Sequence, residues 1–198
     1  MGDLPEHLRW SDGARRGGPA VVVDLDGVLS DASGRQRLLA GAAPDWAAFF
    51  AAAGDDPVLA GGAALLAALD PSLAVVVSTG RPVRLAAATV AWLARHELRW
   101  DLLAMRPAGN RGHAVGTKSA ALHIILELGF EPLLALDDDP SVVAMYRDAG
   151  VACVEVGSGY YGRAPGPGAL RWRGHGQPGT GSPGTGSPGT GDILSRGS

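Results

Sequence analysis

The sequence predicts an α/β fold, a Rossmann-like three-layer sandwich with a central parallel sheet of about five strands and a small insertion after the first strand. Short apolar runs alternate with helical patterns through residues 19–161. Such alternation is typical of a parallel sheet covered by helices on both faces. Apolar residues make up 46% of the 198 residues, which is enough to fill the core of one globular domain.

The predicted strands are short, β-branched or Leu-rich, and bounded by turn residues: Ala20–Leu25, Leu73–Ser78, Asp101–Met105, Pro132–Leu136 and Val151–Val156. Helical patterns follow three of them: Pro82–His96, Lys118–Leu128 and Pro140–Ala149. Between Leu29 and about Pro57 there is room for only a flap and one helix. We expect the aromatic stretch Trp46–Phe50 to pack as that helix, with stacking of nucleobases on its rings as the alternative.

The chain divides into three segments. Residues 1–18 are polar and without periodicity, and we expect them to be flexible. Residues 19–161 form the predicted domain. Residues 162–198 are Gly/Pro-rich, and the unit Pro-Gly-Thr-Gly-Ser repeats from Pro178. Such a sequence cannot bury apolar surface, so it predicts a disordered tail that acts as a tether.

Charge and composition exclude several classes of protein. Seventeen basic residues against twenty acidic ones give a net charge of −3, which excludes a strongly basic nucleic-acid coat protein or a polybasic membrane binder. The single cysteine, Cys153, cannot form an internal disulfide. No uncharged run reaches the roughly 18 residues that a membrane helix needs. We therefore expect a soluble cytoplasmic protein with no membrane partner.

Polar residues follow two of the predicted strands where ligands bind in such sheets. Asp24 and Asp26 come directly after the first strand, and an acidic turn is the alternative reading of this pair. After the second strand, Thr79, Gly80 and Arg81 lead into a helix. Free amides, a helix N-terminus and a guanidinium all favour negative charge, so this segment predicts an anion site, with a plain turn as the alternative.

The fourth strand runs into three adjacent acidic residues. Asp139 before Pro140 is explained as a helix N-cap, but Asp137 and Asp138 are not. Adjacent carboxylates repel one another unless a cation relieves them, and oxygen ligands without His or Cys favour Mg²⁺. Lys118 is the only lysine among 17 basic residues. Its compact ammonium suits a tight space between a carboxylate and a phosphate, whereas a chance surface lysine is the alternative.

These four segments, in this order, resemble the haloacid dehalogenase (HAD) superfamily of phosphohydrolases over about residues 19–160. The resemblance implies a HAD-like fold in which Asp24 is the nucleophile toward phosphorus and forms an aspartyl-phosphate. It implies that Asp26 protonates the leaving oxygen and then activates the water. Thr79 and Lys118 would hold the transferring phosphoryl group.

The same resemblance implies Mg²⁺ as the cofactor. Its implied ligands are the Asp24 carboxylate, the Asp26 backbone carbonyl, Asp137 and Asp138.

Within the superfamily, the sequence is most similar to the 3′-phosphatase domain of phage-type polynucleotide kinase-phosphatases. The similarity rests on Arg35 eleven residues after Asp24, on Thr79-Gly80-Arg81, and on the spacing from Lys118 to Asp137. It implies that Arg35, Gly80 and Arg81 bind the substrate, with a solvated arginine on a flap as the alternative for Arg35.

The sequence also departs from the phage-type pattern. Thr79 stands where that pattern has Ser, and Val28 stands where Thr is common. Ala114 and Gly116 precede Lys118 where that domain is more acidic or apolar. These differences make the substrate less certain than the chemistry. Gly112–Ser119 is not a P-loop, because Thr117 separates the glycine from Lys118.

The leading hypothesis is a Mg²⁺-dependent phosphatase that removes a 3′-phosphate from polynucleotide ends or nucleotides. Its substrate partner would be a phosphorylated nucleic-acid end or a nucleotide. A general small-molecule HAD phosphatase or nucleotidase is one alternative, and a non-catalytic phosphate-binding module is another. The sequence leaves open whether the end is DNA or RNA and whether a separate kinase or ligase partners the chain.

Overall fold

The computed structural model describes residues 4–40, 42–161 and 168–171. One sheet of six strands forms its centre, in the order β1-β4-β3-β2-β5-β6. The strands are β1 Leu8–Trp10, β2 Gly18–Val23, β3 Ala74–Pro82, β4 Leu102–Arg106, β5 Phe130–Asp137 and β6 Cys153–Glu155. Strands β2 to β6 pair in parallel, and β1 pairs antiparallel with β4. The predicted α/β class is confirmed.

Helices cover both faces of the sheet: α1 Ser33–Gln36, α2 Trp46–Ala51, α3 Ala60–Ala68, α4 Ala86–Arg95, α5 Ala114–Glu127 and α6 Pro140–Asp148. Successive side chains of a strand point to opposite faces. Ala20 and Val22 of β2 accordingly pack with α5 and α6, whereas Val21 and Val23 pack with α3 and α4. Two apolar cores on a doubly covered sheet make the three predicted layers.

The predicted elements are present with small shifts at their ends. All five predicted strands occur, and α4, α5 and α6 correspond to the three predicted helices. Helix α5 begins at Ala114 instead of Lys118, so the lysine lies inside the helix. Helix α3 was not predicted, because it is apolar on all sides and contains two glycines. Gly62 of α3 lies against the backbone carbonyl of Val28, where a Cβ would not fit.

The expectation of flexible ends is wrong at two places. Leu8–Trp10 forms β1, with Leu8 opposite Ala104 of β4 and only 4% exposed. A strand of three residues is too short to show an alternating pattern of apolar and polar residues. Because its neighbours are polar, the sequence contained no sign of this strand. In the C-terminal segment, the Leu170 backbone bonds to Glu155 and Gly157 beside β6. Residues 162–167 and 172–198 of the predicted tail lie outside the described residues.

The order of the strands fixes where a ligand can bind. The chain passes from β2 to β3 on one side and later returns to β5 on the other side of β2. A crevice forms outside the carboxyl ends of strands at such a switch. Among the described residues, no helix is long and apolar enough to cross a membrane.

Candidate active site

The polar strand ends meet in one cleft beyond the carboxyl ends of β2 and β3. Its volume is about 1120 Å³, and its lining includes five of the predicted site residues: Asp24, Asp26, Thr79, Gly80 and Lys118. Asp24 and Asp26 follow β2, and Thr79 and Gly80 lie near the end of β3. Lys118 comes from the second turn of α5. Residues far apart in the sequence therefore share one site, as the positions of the strand ends predicted.

Three buried carboxylates lie together, two of them paired with the ammonium of Lys118, and we call Asp24, Asp137 and Asp138 the carboxylate cluster. Lys118 Nζ is 2.8 Å from Asp24 Oδ1 and 2.6 Å from Asp137 Oδ2. One oxygen from each of the three carboxylates lies within 4.8 Å of the others. Lys118 is 3% exposed, so the chance-surface interpretation of the only lysine is wrong.

Burial controls the protonation of this cluster. It raises the pKa of Asp24 to about 7, although the Lys118 ammonium opposes the shift. Burial also raises the pKa of Asp137, and burial together with the charge of Asp24 raises the pKa of Asp138 well above its usual value. Burial acts to lower the pKa of Lys118, but Asp137 and Asp24 outweigh it and hold that pKa well above its usual value. The lysine is charged, and it does not fully relieve the carboxylates.

The carboxylate cluster fits a hard divalent cation. Asp138 Oδ2 is buried and has no hydrogen-bond partner among the described residues. A buried carboxylate oxygen without a partner is costly unless a ligand satisfies it. All of the candidate ligand atoms are oxygens, which suits Mg²⁺. Together, the unpartnered oxygen and the raised pKa values indicate a cation position between these side chains.

The adjacent residues Asp138 and Asp139 have different roles, which depend on the local backbone. The Asp139 carboxylate accepts a hydrogen bond of 2.8 Å from the backbone N–H of Ser141, which confirms the predicted N-cap of α6. Gly27 has φ +90° and lies against the Asp138 side chain, so a Cβ there would clash with that carboxylate. Because Gly27 has no side chain, the Asp138 carboxylate has space to join the carboxylate cluster.

A second group of charged side chains lies beside the first, and we call Asp26, Arg35, Asp56 and Arg81 the arginine network. Asp26 Oδ1 is 2.7 Å from Arg35 Nη2 and 2.6 Å from Arg81 Nη2. Asp56 Oδ2 is 2.7 Å from Arg35 Nη2 and 3.2 Å from Arg81 Nη2. Ser30 Oγ donates a further hydrogen bond of 2.7 Å to Asp56 Oδ2. Each arginine is thus held by the same two carboxylates.

The two arginines are buried and lie behind Asp26 as seen from the cleft. Arg35 is 3% exposed and Arg81 is 1% exposed, which rules out the solvated-arginine alternative for Arg35. Arg35 also lies over the Phe49 ring, with Cζ 4.1 Å from the ring centroid. Asp26 lines the cleft, whereas the two arginines do not. The guanidiniums predicted to bind substrate are therefore bonded to a carboxylate at the cleft surface.

The charge of the arginines also acts on Asp26. Burial alone would raise the pKa of Asp26, but Arg81 and Arg35 outweigh it and lower that pKa below its usual value. The arginine network therefore favours the ionised form of Asp26. This is the form that accepts a proton.

The end of β3 supplies polar groups between the two clusters. Thr79 is 1% exposed, and its Oγ1 accepts a hydrogen bond of 3.2 Å from the backbone N–H of Arg81. Arg106 Nε donates to the Gly80 carbonyl at 3.0 Å. A Cβ added to Gly80 would meet only the end of the Arg106 side chain. Thr79, Gly80 and Arg106 therefore line the cleft that also contains Asp24.

Two members of this site were missed from the sequence, Asp56 and Ser30. Asp56 is 8% exposed, and the indole Nε1 of Trp92 fixes its backbone carbonyl with a hydrogen bond of 2.7 Å. A buried guanidinium needs a carboxylate partner. The sequence did contain a signal for Asp56, namely the acidic pair Asp55-Asp56 before Pro57 at the end of the flap. That signal becomes useful only if both arginines are assumed to be buried and therefore to need carboxylate partners.

The fold and the site together define a class. A parallel sheet carries an acidic pair after its central strand, and a buried lysine and a second acidic pair converge on it. This is a phosphatase of the HAD superfamily. The chain belongs to the family of polynucleotide kinase PNKP phosphatase domains, whose family model matches residues 18–161.

Solved structures give similar chains. One is in the Pnkp1/Rnl/Hen1 RNA repair complex, with 25% identity and a TM-score of 0.58 over 75% of this chain and 44% of that chain. Another is in a Pnkp1/Rnl/Hen1 complex, with 24% identity and a TM-score of 0.58 over 74% of this chain and 47% of that one. This chain thus spans less than half the length of either. A comparison with curated proteins gives no match.

Proposed function

We propose that this phosphatase is Mg²⁺-dependent and removes the 3′-phosphate from polynucleotide ends or nucleotides through an aspartyl-phosphate intermediate. One observation carries the chemistry. The carboxylate of Asp24 lines the cleft at the end of the central strand, and the buried Lys118 ammonium lies 2.8 Å from it. A carboxylate fixed beside a cation can attack phosphorus while the cation attracts the phosphoryl oxygens.

In the first step, an Asp24 oxygen forms a bond to phosphorus and the bond from phosphorus to the leaving 3′-oxygen breaks. Protonated Asp26 gives its proton to that oxygen, which leaves as a hydroxyl group. In the second step, water attacks the phosphorus of the aspartyl-phosphate and Asp26 takes a proton from it. The bond from Asp24 to phosphorus then breaks, which releases phosphate and restores both carboxyl groups.

Substrate binding bears on the protonation of Asp26. In the free protein, Arg35 and Arg81 favour its ionised form. A phosphate oxygen that takes over one guanidinium contact removes part of this stabilisation and makes protonation easier. For either arginine to bind the substrate phosphate directly, its guanidinium, which lies behind Asp26, would have to exchange one carboxylate partner for the phosphate.

Mg²⁺ would be held by Asp24, Asp137 and Asp138 and, as the resemblance implies, by the Asp26 backbone carbonyl. When bound, it supplies positive charge that stabilises the transferring phosphoryl group. Lys118 and Thr79, which both line the cleft, would orient the other phosphoryl oxygens.

Two observations support a nucleic-acid end as the substrate. The insertion between β2 and β3 contributes only α1, α2 and short turns before α3, which leaves a wide cleft. The similar protein Pnkp1 is named in an RNA repair complex with Rnl and Hen1. This supports RNA over DNA as the end that is processed, and it supports association with other repair proteins.

The test is a substrate panel with the full chain and Mg²⁺: oligonucleotides with a 3′-phosphate, the same with a 5′-phosphate, nucleotide 3′-phosphates, sugar phosphates and glycerol 2-phosphate. We expect the highest kcat/KM for the 3′-phosphorylated RNA oligonucleotide. Asp24→Ala should lower turnover of every substrate by about 10⁴-fold or more, because the nucleophile is lost. Equal or faster hydrolysis of sugar phosphates would indicate the general phosphatase instead.

A further inference from the structure

The cleft is larger than a phosphoryl group requires. Its volume of about 1120 Å³ is that of a site for a drug-sized ligand. The phosphate chemistry occupies only the floor, where Asp24 and Lys118 lie. The wall formed by α2 contributes Trp46, Phe49 and Phe50. A substrate therefore has room to place a second group against this wall.

The three rings of α2 form one contiguous cluster. Their centroids are 5.7 Å apart for Trp46 and Phe49, 5.9 Å for Trp46 and Phe50, and 5.4 Å for Phe49 and Phe50. Phe49 is 5% exposed, which confirms the predicted packing of this helix, whereas Trp46 is 54% exposed. Burial in the core thus explains Phe49, whereas the indole of Trp46 packs against its two neighbours and still leaves about half of its surface exposed at the cleft.

Positive charge accompanies the exposed rings. Arg84 Cζ lies 5.8 Å from the centroid of the Phe50 ring. Arg106, at the end of β4, and Arg111, between β4 and α5, line the same cleft. Aromatic rings for bases beside cations for the backbone are the combination that binds single-stranded nucleic acid.

We propose that Trp46 and Phe50 form a stacking surface for the nucleobase of the terminal nucleotide, and this rests on the proposed function. The phosphate binds at Asp24 and Lys118, and the base of the same nucleotide lies against the indole. Phe49 connects the two parts of the site, because its other neighbour is the Arg35 guanidinium of the arginine network. The chemical class of the ligand is thus a base-bearing phosphorylated end.

The test compares two oligonucleotides that differ only at the 3′-terminal residue, which carries either a base or an abasic sugar, each with a 3′-phosphate. For the wild-type full chain, we expect kcat/KM to be about tenfold higher with the base, since a base stacked on an aromatic ring adds binding energy that an abasic sugar lacks. Trp46→Ala should remove this preference by raising KM for the base-bearing end. Trp46→Phe should keep most of it.

Two controls separate stacking from folding. Leu133→Ala removes another exposed apolar side chain, 56% exposed on β5, and should keep the preference. Glycerol 2-phosphate has no aromatic group, so Trp46→Ala should lower its hydrolysis less than that of the base-bearing end. The ratio between the two ends is the readout, because partial unfolding lowers both rates equally.

Three results would overturn the stacking surface. One is equal wild-type kcat/KM for the two ends, a second is an unchanged ratio in Trp46→Ala, and the third is faster hydrolysis of a phosphotyrosine peptide than of either oligonucleotide. Equal kcat/KM for the two ends, or an unchanged ratio in Trp46→Ala, would leave the proposed 3′-phosphatase activity unaffected. If glycerol 2-phosphate is hydrolysed and neither oligonucleotide is, the proposed function fails, and the stacking surface fails with it.

Discussion

The two charged groups of the site lie side by side and are balanced in opposite ways. The carboxylate cluster has three carboxylates beside one ammonium. The arginine network has two guanidiniums between two carboxylates. With every group ionised, the first carries two negative charges in excess and the second carries none. The excess equals the charge of one divalent cation.

This difference in charge means that the two groups are in different states before the substrate binds. The carboxylate cluster is incomplete in the protein alone, as the unpartnered Asp138 Oδ2 shows for the described residues. The arginine network is balanced in charge, because Asp26 and Asp56 pair with both arginines, and only Arg35 Nη1 is buried without a hydrogen-bond partner among its described neighbours. The proposed Mg²⁺ would complete the carboxylate cluster, whereas internal ion pairs already balance the charges of the arginine network.

The largest expected effect tests whether the carboxylate cluster needs a compact cation. In Lys118→Arg the charge is kept, but a planar guanidinium does not fit a position 2.6 Å from Asp137 and 2.8 Å from Asp24. We expect kcat to fall by about 10²–10³-fold, an effect on the scale of losing one preorganised charge. Steady-state hydrolysis of glycerol 2-phosphate measures it.

The matched control is Arg9→Lys, which changes an exposed cation on β1 and should leave kcat unchanged. If Lys118→Arg keeps wild-type kcat, charge alone is sufficient at this position. The comparison between a tight ammonium site and a broad guanidinium network would then be wrong.

A smaller effect tests the internal balance of the arginine network. Asp56→Asn removes the charge that holds Arg35 and Arg81 together, so the guanidiniums lose one of their two carboxylates. We expect KM for the 3′-phosphorylated oligonucleotide to rise about tenfold, as for a lost charge-assisted contact. The Mg²⁺ concentration for half-maximal activity should not change, because Asp56 does not belong to the carboxylate cluster.

Asp55→Asn is the matched control, since Asp55 is the exposed neighbour of the buried Asp56. It should behave as wild type in both measurements. A shift in the Mg²⁺ requirement of Asp56→Asn, without a change in KM, would mean that the two groups act as one unit and not as two.

The same comparison explains what the sequence could predict. Asp24, Lys118, Asp137 and Asp138 follow from strand ends and fixed spacings, because the carboxyl ends of parallel strands converge. Chain topology alone brings them together. The fold class was predictable for the same reason, since alternating strands and helices determine the layers.

The arginine network was only half predictable. Arg35 and Arg81 belong to motifs, but Asp56 lies in a flap whose path is set by packing, with Trp92 holding its carbonyl. No periodicity reports where a loop carboxylate points. Strand β1 was missed on similar grounds, because pairing with β4 and not local pattern holds its three residues.

The smallest expected effect tests the excess negative charge directly. A ligand that binds only the folded state stabilises it, so Mg²⁺ at about ten times its Kd should raise Tm by about 3–6 °C. Asp138→Asn removes the negative charge of the ionised carboxylate and replaces one carboxylate oxygen with an amide NH₂ group. Without Mg²⁺, this variant should melt at a higher temperature than wild type, and its Mg²⁺-dependent increase should be smaller.

Thermal unfolding with Mg²⁺ and with a chelator measures both effects. Asp148→Asn is the control, since it removes an exposed carboxylate at the end of α6 and should show the full wild-type increase. The absence of any Mg²⁺-dependent increase in the wild-type protein would contradict the proposed cofactor. An equal increase in Asp138→Asn and wild type would place the cation outside the carboxylate cluster. The two charged groups would then differ in their numbers of carboxylates and cations, but a bound metal ion would not distinguish them.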